Sequence, residues 1–93
     1  MSKNYKTNVK EFEPEFLEDY FYEFIKHCVY FRTRTLAIKF LTDNTSLTYN
    51  EASKTENLRG IIMRFSRITT HAKQENIVKK CNKRTYKIIK KVK

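Results

Sequence analysis

A mostly α fold with a small C-terminal β-hairpin is the class this sequence predicts, and three observations lead there. Apolar residues recur at helical spacing over three stretches, beginning at Phe16, Leu36 and Leu58. The last stretch, from Ile77 to Ile89, is rich in Ile, Val, Thr and Tyr around Asn82-Lys83-Arg84, which favours two short strands and a turn. One glycine and one proline in 93 residues argue against a loop-rich or disordered chain. Two-residue alternation is poor there, and periodicity alone prefers a helix over the C-terminal segment. In that form Ile77, Val78, Cys81, Thr85, Ile88, Ile89 and Val92 share one face and every Lys and Arg falls on the other. An all-α fold with a basic C-terminal amphipathic helix is therefore the alternative.

The length fits one domain, over 12–93, behind a polar and flexible lead-in at 1–11. Pro14 suits the first turn of a helix, where its missing N–H costs nothing. Glu13, Glu15, Glu18 and Asp19 gather at that end, where the helix dipole favours negative charge. Behind them Phe16, Leu17, Tyr20, Phe21, Phe24, Ile25, Cys28 and Val29 form a wide apolar stripe, so a helix is expected over about 14–31. Arg32-Thr33-Arg34-Thr35 interrupts the stripe. Leu36, Ala37, Phe40 and Leu41 resume it in a second helix over about 33–43, and Asp43-Asn44-Thr45-Ser46 makes a turn. Leu47-Thr48-Tyr49 has extended character. Asn50 is placed to cap a short helix over 50–56, and Asn57 offers a turn. A long helix over 58–75 follows, with Leu58, Ile61, Ile62, Phe65, Ile68 and Ala72 inward. Its opposite face holds Gly60, Met63, Arg64, Arg67, Thr70, His71 and Gln74, and no acid.

Charge is divided unevenly along the chain. Residues 1–46 balance seven Lys/Arg against seven Asp/Glu, whereas 47–93 set thirteen against three, so the whole net charge of +10 belongs to the second half. Such a field repels itself in a folded state, and a polyanionic partner is the usual reason for it. Nucleic acid is the first expectation and an anionic membrane surface a lesser one.

Other classes find little support. Cys28 and Cys81 are too few for a disulfide framework, and no signal peptide precedes them, so a cytoplasmic protein is expected. No apolar run reaches the length of a membrane span, and no lipidation box is present. His27-Cys28 and His71…Cys81 lack metal-site spacing, and no metal or cofactor is expected. With no phosphate loop, Gly-rich turn or nucleophile motif, the chain is not expected to be an enzyme. Its richness in Lys, Asn and Ile fits an AT-rich coding sequence, that of a low-GC bacterium, its phages or another mobile element.

Residues 47–68, LTYNEASKTENLRGIIMRFSRI, resemble a helix-turn-helix. Over about 35–91, some 60% of the chain, the order resembles a winged helix-turn-helix domain. The helix TLAIKFLTDN leads to the extended LTY, then two helices, then a candidate wing, NIVKKCNKRTYKIIKK. The turn departs from the usual form, with Asn57 at its Gly-like position and Glu56 before it where an apolar residue is common.

The resemblance implies a DNA-binding protein, with a transcriptional regulator as the expected role and helix 58–75 reading the major groove. Arg64 and Arg67 are the leading base contacts. Thr70, His71 and Gln74 lie further along, and Arg59 and Gly60 are near the helix start, where amides can meet a phosphate. Met63 suits a thymine methyl or a protein partner. Lys79, Lys80, Lys83, Arg84 and Lys87 of the wing would hold phosphates. The aromatic stripe of the first helix (Phe16, Tyr20, Phe21, Phe24) is expected either to complete the core or to form a homodimer interface. The alternatives are a basic RNA-binding protein, a small interaction protein inhibiting a host nucleic-acid enzyme, and a membrane-surface binder if 76–93 is helical.

Overall fold

The computed structural model describes residues 12–90, so the expected lead-in at 1–11 lies outside the described residues. Four helices and a three-stranded antiparallel sheet make up the described chain: α1 (Pro14–Ile25), β1 (Tyr30–Phe31), α2 (Thr33–Asn44), α3 (Tyr49–Ala52), α4 (Leu58–Gln74), β2 (Val78–Lys80) and β3 (Tyr86–Ile88). The helical majority and the C-terminal hairpin follow the sequence expectation.

Pro14 opens α1 as expected, but the helix stops at Ile25 rather than continuing to 31. His27 and Cys28 close a tighter turn by donating to the Phe24 and Ile25 carbonyls. Val29, Tyr30 and Phe31 then extend. This β-branched and aromatic run favours a strand, and β3 supplies the ladder: the Ile88 N–H donates to the Val29 carbonyl at 2.9 Å. The sheet order is β1–β3–β2, with Tyr30 opposite Lys87 and Phe31 opposite Tyr86. The extended segment that joins the hairpin is thus 30–31 and not Leu47-Thr48-Tyr49.

Thr48 and Tyr49 begin α3 instead. Thr48 Oγ1 accepts from the Glu51 N–H, and Glu51 Oε1 accepts from the Thr48 N–H, a reciprocal cap worth about 1 kcal/mol. Thr48 therefore takes the capping role expected of Asn50, and the helix is 49–52 rather than 50–56.

The C-terminal segment is not a helix. α4 ends where Asn76 takes the left-handed conformation at φ 63°. The Ile77 N–H reaches the Ala72 carbonyl at 2.9 Å and the Asn76 N–H reaches Lys73 at 3.1 Å, which completes a Schellman motif. β2 and β3 then pair as a hairpin, with Val78 opposite Ile88, Lys79 opposite Lys87 and Lys80 opposite Tyr86. The all-α alternative fails, and the basis for a membrane-surface helix fails with it. Among the described residues no helix is long and apolar enough to cross a membrane.

The core gathers Leu17, Phe21 and Ile25 of α1, Leu36 to Ile38, Phe40 and Leu41 of α2, and Leu58, Ile61, Phe65 and Ala72 of α4, with Phe31 and Val78 from the sheet. α2 packs against the other three helices, which explains why Ile38, outside its expected stripe, is buried as well. Among the described residues Thr69 is the one buried polar side chain. It is tolerated because its hydroxyl donates to the Phe65 carbonyl at 2.8 Å. The expected dimer face is largely consumed here. Phe21 is fully buried, Tyr20 and Phe24 pack on the core, and Phe16 alone of the four stays exposed, at 43%.

Tyr20 ties α1 to α2. Its hydroxyl donates to Asp43 Oδ2 at 2.6 Å, while Lys39 Nζ lies 3.5 Å from Asp43 Oδ1. Burial first, then the Asp43 hydrogen bond and charge, push the phenol well above its ordinary value of 10. Tyr22 is raised too, by burial first and then by Glu18 and Glu75. The fold therefore prefers both phenols neutral. Their stabilising contribution is complete below about pH 10 and is lost as pH rises above it. Urea unfolding at pH 7, 9 and 10.5 is expected to show most of the loss of stability in the last interval, and Tyr20→Phe to reduce that loss while Tyr22 and the half-buried Cys28 thiol, also raised, sustain the remainder.

Candidate nucleic-acid interface

Two flanks emerge from what the sequence presents as a single outer face of α4. Met63 is 55% exposed, and Arg59, Arg67, Thr70, His71 and Gln74 are exposed with it, while Gly60 and Arg64 are half-buried. Arg64 and Arg67 turn toward α1. With Ile68 they line a cavity of about 250 Å³ whose other wall is Pro14, Leu17 and Glu18. Glu18 places a carboxylate beside this pair, so the two leading arginines border α1 rather than the hairpin. His71 Nε2 lies 3.9 Å from Glu75 Oε2, an exposed contact that contributes little.

The opposite flank of α4 opens on a larger cleft of about 760 Å³. Its cations are Arg32 and Arg34 at the start of α2 and Lys83 and Arg84 in the β2–β3 turn, and Tyr49, Ser66 and Tyr86 stand among its other walls. None of its lining residues is acidic. At 100° per residue, Arg59, Met63, Thr70 and Lys73 share the Ser66 flank of the helix.

Local chemistry builds each wall. Arg34 Nη2 donates to the Ser53 carbonyl at 3.2 Å, joining the start of α2 to the end of α3. The Thr48–Glu51 cap fixes Tyr49 at the first position of α3. The hairpin turn is held by Asn82, whose Oδ1 accepts from the Arg84 and Thr85 N–H groups at 3.0 Å each. The Cys81 N–H donates to the Thr85 carbonyl at 2.8 Å. Asn82 thus serves the turn by its side-chain oxygen, and among the described residues the positive φ belongs to Asn76. With the backbone so fixed, Lys83 and Arg84 project at an exposed tip.

The register divides the five expected wing cations. Lys79 and Lys87 are direct cross-strand neighbours on one face of the sheet, beside Tyr30. Lys80 lies on the other face at the edge, its ammonium 5.8 Å from the Tyr86 ring centroid. Lys83 and Arg84 belong to the cleft. Like charges directly opposite are destabilising, so the Lys79–Lys87 pair costs the sheet stability.

The chain matches no protein-family model, no curated protein and no solved structure.

Sequence reasoning missed Arg32, Arg34 and Tyr49. A signal for the first two was present. A helix start normally attracts acids, yet α2 begins among two arginines and has no acid in its first turn. Tyr49 gave no such sign, because the segment read as extended. Elsewhere the chemistry is sparse. Cys28 is half-buried, its thiol pushed up by burial, and Cys81 is exposed. Among the described residues no three His, Cys, Asp or Glu side chains converge as a metal site would require.

Proposed function

We propose that the chain is a winged helix-turn-helix protein that binds double-stranded DNA, with α4 as the groove-reading helix and the β2–β3 hairpin as the wing. The observation that carries this reading is the acid-free surface running from the Ser66 flank of α4 through the cleft to Lys83 and Arg84. The element order, with β1 joining the hairpin between α1 and α2, is consistent with it. Duplex DNA carries one negative charge per about 1.7 Å of axis, so cations presented on one side of a compact domain gain by releasing condensed counterions. Arg32, Arg34, Lys83 and Arg84 take phosphates in this scheme. Arg59, Met63, Thr70 and Lys73 are the side chains exposed along the Ser66 flank of α4 for base edges. The biological role that fits is a small transcriptional regulator.

Fluorescence anisotropy with a random-sequence duplex across a salt series tests the reading. Four phosphate contacts give a log–log slope of about −4. A duplex left unbound at 50 mM salt by the folded protein would sink it, and would direct attention to RNA or a protein partner.

A further inference from the structure

The duplex reading uses the cleft only as a set of positive charges, although its walls hold more than charge. Tyr49 is 56% exposed and makes no ring pair among the described residues, whereas Tyr86, in the same wall, is already engaged. Tyr86 stacks on Phe31 at 5.5 Å and has Lys80 near its ring, so its faces serve the sheet. Nothing in the packing of the domain explains why a large aromatic ring stands in solvent beside four cations. The hydroxyls of Thr33, Thr35 and Ser66 and the apolar side chain of Ile38 complete the lining. The volume, about 760 Å³, lies within the range of small-ligand sites.

The geometry points to a nucleoside-phosphate site: the cleft between the start of α2 and the β2–β3 turn takes one nucleotide unit, its phosphate against Arg32, Lys83 and Arg84 and its base against the Tyr49 ring. A phosphate alone would leave the ring unused, and an apolar ligand alone would leave four converging cations unneutralised. A nucleotide satisfies both, because every base offers a π-face and every unit carries an anion. Arg34 is partly committed to the Ser53 carbonyl, so it shapes the wall while also contributing charge. The unit comes either from a single-stranded segment or from a free nucleotide. The inference draws on the same basic surface as the duplex reading but names a different occupant for this cleft.

The test measures anisotropy of a fluorescein-labelled oligothymidylate, a labelled nucleoside diphosphate and a labelled blunt duplex, with inorganic phosphate as competitor. The variants are Tyr49→Ala, Tyr49→Phe, Arg84→Ala and, as a control on the far face of the hairpin, Lys79→Ala. Tyr49 and Arg84 are exposed, so these variants are expected to fold. Tyr49→Ala is expected to weaken single-strand binding about tenfold, with Tyr49→Phe near wild type and duplex affinity within about twofold. Arg84→Ala weakens all three probes and Lys79→Ala does so least. Binding of the diphosphate with the same Tyr49 dependence assigns a free nucleotide; binding of the oligonucleotide alone assigns a strand segment. Single-strand binding indifferent to Tyr49, no binding of either nucleotide probe, or displacement by inorganic phosphate as effective as by nucleotide would each overturn the site. Loss of the duplex signal with the Tyr49-dependent signal intact would refute the duplex reading and leave this one standing.

Discussion

Replacing Lys83 and Arg84 together by alanine is expected to lower duplex affinity roughly 60-fold at 0.1 M salt and to flatten the salt slope by about two. Each lost phosphate contact removes about 0.9 from the slope, and that deficit grows as salt falls. The turn survives the change, because it is held by Asn82 Oδ1 and by backbone groups, not by the two removed side chains. The matched control is Lys79→Ala with Lys87→Ala, an equal loss of charge from the opposite face of the same hairpin. If docking uses the cleft side, the control loses less affinity and gains slightly in stability, since two like charges no longer face each other. Equal losses in both variants would mean that only net charge matters, and no loss in either would remove the hairpin from the interface. Thermal melts of the wild type and the two double variants separate these outcomes from misfolding.

The helices were legible because burial enforces a period of 3.6, and α2 and α4 fall within a residue of the spans that period predicts. The end of α1 was not, because Cys28 and Val29 continue the apolar stripe at helical spacing. What breaks the helix there is a strand pairing with β3, formed by residues more than fifty positions away. The hairpin was legible in composition but not in period, since strands of three residues are too short to establish alternation. The sites divide in the same way. The exposed position of Met63 follows from helical phase alone. The separation of Arg64 and Arg67 from the hairpin does not, because phase says which residues face outward and not which neighbouring element flanks them. Arg32 and Arg34 join Lys83 and Arg84 only through the fold, across some fifty residues of sequence.

Phe40→Ala carries the largest expected stability loss. Its ring is fully buried and lies 4.9 Å from Phe12, 5.7 Å from Phe16, 5.1 Å from Tyr20 and 5.4 Å from Phe65, mostly edge to face. It therefore joins α1, α2 and α4 at one point. Deleting a buried Phe side chain costs about 3–5 kcal/mol, through lost transfer energy and the cavity left behind. Against a total of roughly 5–14 kcal/mol for a chain of this length, that is a large share. The melting temperature is expected to fall by at least about 12 °C. Phe16→Ala is the comparison. Phe16 touches Phe40 but is 43% exposed, so its truncation opens no closed cavity and costs far less. Melts of both variants over a hundredfold range of protein concentration also bear on association. If α1 covers its aromatic edge with a second copy, Phe16→Ala destabilises as much as Phe40→Ala and the wild-type melting temperature rises with concentration. If the edge simply closes the chain's own core, the two variants differ by several kcal/mol and concentration has no effect. The inward turn of Phe21 and the ring contacts of Tyr20 favour the second outcome.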